Sequence, residues 1–208
     1  MKITIITLFT MAILQVSCAQ ETKSQTLNKR EIIQEITGDL DKDGISEKVI
    51  VFETNRKQEL GTERDLEIYK MEDGQWKLWF QSSKAIMKSL EGGTLGDPFQ
   101  GIAIKNGLLL IEHYGGSNLR WSYTHKYRFQ NKIFSLIGVT TQNSSGEDNE
   151  IFDYNLLNGK AIYSVYTDGV LDKRETCNHK MKDLPKLSTI RFGQYKIMIP
   201  KAKTYCYF

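Results

Sequence analysis

The chain has 208 residues, 40% hydrophobic and 25% charged, and its 28 lysines and arginines against 25 aspartates and glutamates give a net charge of +3. That length fits one domain or two very small ones, and the near-balance of charge points to neither nucleic acid nor a membrane surface as a partner. Three prolines and no low-complexity tract argue against a long disordered segment.

Met1-Lys2 is a short positive start, Ile3 to Leu14 is an apolar run broken only by threonines, and small residues follow at Ser17, Cys18 and Ala19. This predicts a secretory signal peptide over residues 1–19, too short to be a stable membrane span. Losing Lys2 with it leaves 27 basic against 25 acidic residues, a formal charge of +2. Two cleavage readings stand. Ser17 and Ala19 fit a small-x-small site that releases a soluble chain from Gln20. Alternatively, Leu14-Gln15-Val16-Ser17-Cys18 resembles a bacterial lipobox, with Gln15 where the usual leucine would sit; this implies lipidation at Cys18. The lipoprotein reading is favoured, because a cysteine there is otherwise an odd choice. Both readings place the protein outside the cytoplasm, in the cell envelope or in the periplasmic or secreted space, touching a membrane only through a lipid anchor. Residues 20–29 are polar and read as a flexible tether, leaving 30–208 as a single folded domain.

Arg30 to Thr37 reads as one helical turn or an edge strand. Gly38-Asp39-Leu40-Asp41-Lys42-Asp43-Gly44-Ile45-Ser46-Glu47 follows. Aspartates at alternate positions and then a glycine describe a tight loop with converging carboxylates, the oxygen-rich arrangement that Ca²⁺ prefers. Asp39, Asp41 and Asp43 take the first three ligand positions, and Ile45 offers its backbone carbonyl. The twelfth position, where an EF-hand carries a bidentate acid, is Ile50, so Glu47 at the ninth must serve. These residues resemble the DxDxDG loops of FG-GAP/VCBS-type repeats and dockerins, in which the loop leads directly into a strand. The pattern occurs once, so the resemblance implies calcium but no multibladed propeller. The alternative is a solvated turn in which the aspartates cap backbone amides.

Beyond Glu47 the punctuation is that of hairpins. Asp73-Gly74, Asn106-Gly107, Asn158-Gly159 and Asp168-Gly169 are preferred two-residue turns between strand-like runs. They predict pairing of 65–71 with 75–81, 100–105 with 108–114, 151–156 with 160–167, and the last with 171–176. A further hairpin joins 120–129 to 132–140 through Gln130-Asn131, and 195–199 is the last strand. In Trp121 to Phe129 the aromatic and histidine residues alternate strictly with polar ones, the signature of a half-buried strand. Residues 82–90 carry Ala85, Ile86, Met87 and Leu90 at helical spacing and predict one short helix. Residues 91–98 and 141–149 read as loops. The expected fold is all-β: an antiparallel, hairpin-rich sandwich or open twisted barrel with at most one short helix.

The block from Gly96 to Gly138, with His113-Tyr114-Gly115-Gly116-Ser117 and Arg120-Trp121 at its centre, resembles a group of exported bacterial proteins of uncharacterised function. The resemblance implies no reaction. His113, Ser117 and Arg120 beside a glycine-rich turn suggest a hydrolase, but the G-x-S-x-G elbow is missing and Glu112 points to the opposite face from His113. His125 reads as a hydrogen-bonded core residue and His179 as exposed. Trp76 and Trp79 have opposite parity, so one faces the core and the other either offers a stacking surface for a protein or carbohydrate ligand or covers a second sheet layer. Cys177 and Cys206 are either a structural disulfide, as an oxidising compartment permits, or two free thiols. The favoured function is an exported, lipid-anchored binding or structural module with a calcium-stabilised loop and no catalytic role; a hydrolase using 113–120 is the alternative.

Overall fold

The structure, a computed structural model, describes residues 30–208. The leader, Cys18 and the tether lie outside the described residues. Two antiparallel sheets share one core. The first contains β1 (Ile32–Gly38), β2 (Glu47–Gln58), β3 (Gly61–Glu72) and β4 (Gln75–Ser82). The second contains β5 (Phe99–Lys105), β6 (Leu108–Gly116), β7 (Arg120–Gln130), β8 (Ile133–Ser145), β9 (Asp148–Asn155), β10 (Lys160–Thr167) and β11 (Val170–Asn178). A C-terminal hairpin, β12 (Lys196–Ile199) and β13 (Thr204–Tyr207), completes the chain. Neighbours in sequence are neighbours in each sheet, so both sheets are simple meanders and neither closes into a barrel. The architecture is the expected all-β sandwich.

The turns explain the meander. Asp73-Gly74, Asn106-Gly107 and Asp168-Gly169 each place both residues in the left-handed region, with φ between 50° and 74°. That conformation matches the twist of a two-residue hairpin, and Asn, Asp and Gly tolerate it best. Two turns differ from expectation. The β7–β8 turn is Asn131-Lys132, φ 50° and 63°, one residue later than Gln130-Asn131. The Asn158-Gly159 turn is longer than two residues: β9 stops at Asn155, whose side chain accepts the Leu157 amide at 3.0 Å, and Leu156 leaves the strand to enter the core.

Residues 82–90 form no helix. Ser82 Oγ accepts the amides of Lys84 and Ala85 at 3.3 and 3.2 Å and donates to Leu187 O at 2.8 Å, while the Met87 amide donates to His113 Nε2. Bonds to distant partners replace the helical ladder, and Leu90, which helical spacing would bury, is exposed. The sole helical element among the described residues is one 3-10 turn at Gly93–Leu95. Residues 141–149 are mostly strand, not loop. β8 runs on to Ser145 and β9 begins at Asp148, with Thr141 paired to both Tyr123 and Phe152. Arg30 to Thr37 resolves as the edge strand β1, paired to β2.

The sheets meet along two seams. At the first, a bulge in β1 frees Gln34 to act as a strand partner for β5: its Oε1 accepts the Ile102 amide at 2.8 Å and its Nε2 donates to Ile102 O at 3.1 Å. At the second, the segment around Leu187 is held to β8 by Leu187 N–H to Phe134 O, 2.9 Å, and to β4 through Ser82. Buried Glu175 caps the C-terminal hairpin, accepting the Lys201 and Ala202 amides at 2.9 Å each.

The inner face of β7 carries Tyr123, His125 and Tyr127 as alternation predicts. His125 is fully buried and stacked on Phe192 at 4.6 Å, but neither ring nitrogen has a hydrogen-bond partner, contrary to the bonded core histidine expected. The Tyr127 hydroxyl is buried and equally unpartnered. An orphaned buried polar group costs about 1–3 kcal/mol. Tyr127→Phe keeps the ring and deletes the orphan, so it is expected to raise stability by about 1 kcal/mol in urea denaturation.

Candidate metal loop

The acidic loop joins β1 to β2 at the first seam. Gly38 packs against Ile104, and Lys42 and the Asp39 carbonyl lie over Gly107 in the β5–β6 turn. Leu40 is 1% exposed and anchors the loop in the core, while Asp43 and Ile45 face solvent. Two residues take left-handed conformations, Lys42 (φ 66°) and Gly44 (φ 88°), and allow the chain to curl around its own carboxylates.

Each aspartate spends oxygens on the turn. Asp39 accepts the Lys42 amide at 2.6 Å and the Gly44 amide at 3.0 Å. Asp41 Oδ1 accepts Asp43 N–H at 3.3 Å, and Asp43 Oδ1 accepts Ile45 N–H at 2.8 Å. The amide capping of the solvated-turn reading is therefore realised. It leaves Asp41 Oδ2 and Asp43 Oδ2 free of backbone donors. The three aspartates also offer oxygens that lie within 4.8 Å of one another. Ligand oxygens at 2.3–2.6 Å from one Ca²⁺ lie at most about 5 Å apart, so the spacing is compatible with a shared ion.

Glu47 lies beside the cluster, outside the three mutually close carboxylates. It begins β2 on the inward row continued by Val49 and Val51, and its residue exposure is 0%. Its Oε2 accepts the Leu40 amide at 2.7 Å, while its Oε1 is buried with no hydrogen-bond partner. Burial pushes the Glu47 carboxyl above its ordinary value, with the nearby Asp41 and Asp43 charges adding to the shift. Ile50, at the twelfth position, lies in β2 between Glu35 and Glu67 and offers no ligand atom from its side chain.

Lys70 is the residue at the loop that the sequence reading missed. On β3 it follows the inward row of Leu66 and Ile68, and its ammonium reaches into the loop. It hydrogen-bonds Asp41 Oδ2, lies 3.0 Å from Asp43 Oδ2 and 3.8 Å from Glu47 Oε1, and rests 4.8 Å from the Trp79 ring. The Asp41 bond, helped by Asp43, raises its pKa well above that of a free lysine despite partial burial. Asp43 is lowered, first by the Ile45 amide and then by Lys70. Three carboxylates thus surround one ammonium.

The other candidates do not assemble. His113 points inward at 1% exposure, its Nδ1 has no partner, and Phe99 and Phe192 flank its ring. Ser117 is exposed in the β6–β7 turn, where its amide donates to Leu119 O at 3.0 Å. A cleft of about 520 Å³ between the β2–β3 turn and residues 83–91 is lined by Phe192, whose ring lies 4.3 Å from that of His113, and His113 itself is not in the lining. Its charged lining mixes Lys84, Lys88 and Arg191 with Glu63 and Glu91. Cys177 and Cys206, read as either a disulfide or two free thiols, carry free thiols. Burial is the main cause that pushes both up, Cys206 to about 12, which disfavours the thiolate that exchange requires. His179 is exposed, as expected. Trp79 joins the core aromatics, and Trp76 is the exposed partner at 38%, with the Lys48 ammonium 4.7 Å above its ring. Comparison with protein-family models, with curated proteins and with solved structures finds no match to the chain.

Proposed function

We propose that the protein is an exported binding or structural module, held at the cell envelope by lipid on Cys18, in which Ca²⁺ in the 39–47 loop stiffens the seam between the two sheets. The observation that carries the calcium reading is Glu47 Oε1, a fully buried carboxylate oxygen without a hydrogen-bond donor, at the edge of a triad of aspartates. Buried polar atoms in folded proteins nearly always have a partner, and a cation supplies one here. The ligand class is a protein or a carbohydrate. Exposed Trp76 and Leu78, on the outer face of β4, supply the apolar contact surface for it.

Thermal unfolding of the 30–208 domain in excess EDTA, millimolar calcium and millimolar magnesium tests the metal. A saturable rise in melting temperature with calcium, much smaller with magnesium, is expected. The rise should vanish in an Asp41→Ala, Asp43→Ala double variant. No response to calcium in the parent domain rejects the metal and leaves a capped turn.

A further inference from the structure

We propose that Lys70 is a built-in counter-ion of the acidic loop and that calcium enters by displacing its ammonium. The inference rests on the calcium reading above. The ammonium occupies the place where one oxygen from each of Asp41, Asp43 and Glu47 converges, at contact distance, 3.0 Å and 3.8 Å respectively. An ammonium has three donors and no means of coordinating more widely. It serves the two aspartates, and Glu47 Oε1 stays beyond hydrogen-bond reach. Calcium takes six to eight oxygens at once, and the ninth loop position is often served through a bound water, so a single ion among the aspartates can reach Glu47 by way of water. Both cations need the same position, and their charges repel.

Lys70 has somewhere to go. Its side chain is 20% exposed on a flexible stem and already lies beside the Trp79 ring, 4.8 Å from the centroid. Swinging outward keeps the cation near that aromatic face while it regains water. The exchange has two consequences. The loop holds its shape without metal, because Lys70 stands in for it, so the domain folds before meeting calcium. Binding also works against a resident cation, which places the affinity in the weak range of extracellular calcium modules, about 10⁻⁴–10⁻³ M. Magnesium, which dehydrates reluctantly and demands octahedral geometry, is a poorer competitor for the position.

The test compares wild type with Lys70→Met, and with Lys48→Met as a control that removes a nearby charge which touches no loop carboxylate. In EDTA, Lys70→Met should melt below wild type; in calcium the gap should close or reverse. Calorimetric titration with calcium should show Lys70→Met binding about tenfold to a hundredfold tighter than wild type, the scale of one charge-assisted hydrogen-bonded competitor removed. Lys48→Met should change affinity less than about fivefold. Equal affinity in wild type and Lys70→Met overturns the displacement and leaves the calcium site standing, whereas no binding to either removes both. Should Lys70→Met not fold without metal, the wild-type domain decides. The Lys70 ammonium resonance in NMR should lose its hydrogen-bonded signature on calcium saturation; its persistence with calcium bound overturns the proposal.

Discussion

Phe134→Ala should lower stability by about 3–5 kcal/mol, read from the urea midpoint at neutral pH. Phe134 projects from β8 at 1% exposure into a cluster in which its ring centroid lies 5.4 Å from Trp79, 4.9 Å from Phe80 and 5.2 Å from Phe129. Trp79 and Phe80 belong to the four-stranded sheet, Phe129 and Phe134 to the seven-stranded one, so this ring closes the contact between the layers. Its backbone carbonyl also receives Leu187 N–H. Removing the ring leaves a cavity bounded by two stiff sheets that cannot collapse to fill it, which places the cost toward the upper end for such substitutions. Phe129, only half-buried, should cost less when truncated. A Phe134→Ala loss near 1 kcal/mol would contradict a core shared between the sheets.

Mild acid should destabilise the domain steeply, and two histidines account for it. His113 and His125 are almost wholly buried, and desolvation lowers each pKa from 6.5 to about 3; His113 is lowered further by His125 and Arg64, with Asp97 opposing. Both are therefore neutral in the folded chain at neutral pH and titrate normally once it unfolds. Below 6.5 the unfolded state binds more protons, so stability is fully present above that pH and falls as pH drops toward 3. Each histidine approaches a loss of about 1.4 kcal/mol per pH unit well below 6.5, which amounts to about 1 kcal/mol each, or about 2 kcal/mol for the pair, between pH 6.5 and 5.5. Urea midpoints measured across this range should show it, and His125→Phe should halve the slope. A flat profile between pH 6.5 and 5.5 would mean that the two rings are not buried neutral.

The sequence was most legible where a backbone conformation restricts the residues that can adopt it. Asp73-Gly74, Asn106-Gly107 and Asp168-Gly169 were readable because their left-handed φ values strongly favour Asp, Asn and Gly. The Asn131-Lys132 turn lacks that glycine, and the boundary shifted by one residue. Local periodicity misled in residues 82–90, because Ser82, Met87 and their distant partners Leu187 and His113 decide the path there. The polar composition of 141–149 hid a strand that is fixed by its ladder neighbours on both sides. At the candidate site, every carboxylate could be named from spacing alone. Lys70 could not. It reaches the loop through the β2–β3 register, Lys48 opposite Tyr69, and that hairpin turns at Glu59-Leu60 without an Asn-Gly or Asp-Gly signal.

The most direct test of the calcium loop is a crystal structure of the domain grown in millimolar calcium, with anomalous scattering used to locate the ion. The account predicts one peak ligated by Asp39, Asp41 and Asp43, with Glu47 joined to it through water and the Lys70 ammonium moved out of the loop. Density for that ammonium still seated between Asp41 and Asp43, with no anomalous peak in the loop, would contradict it.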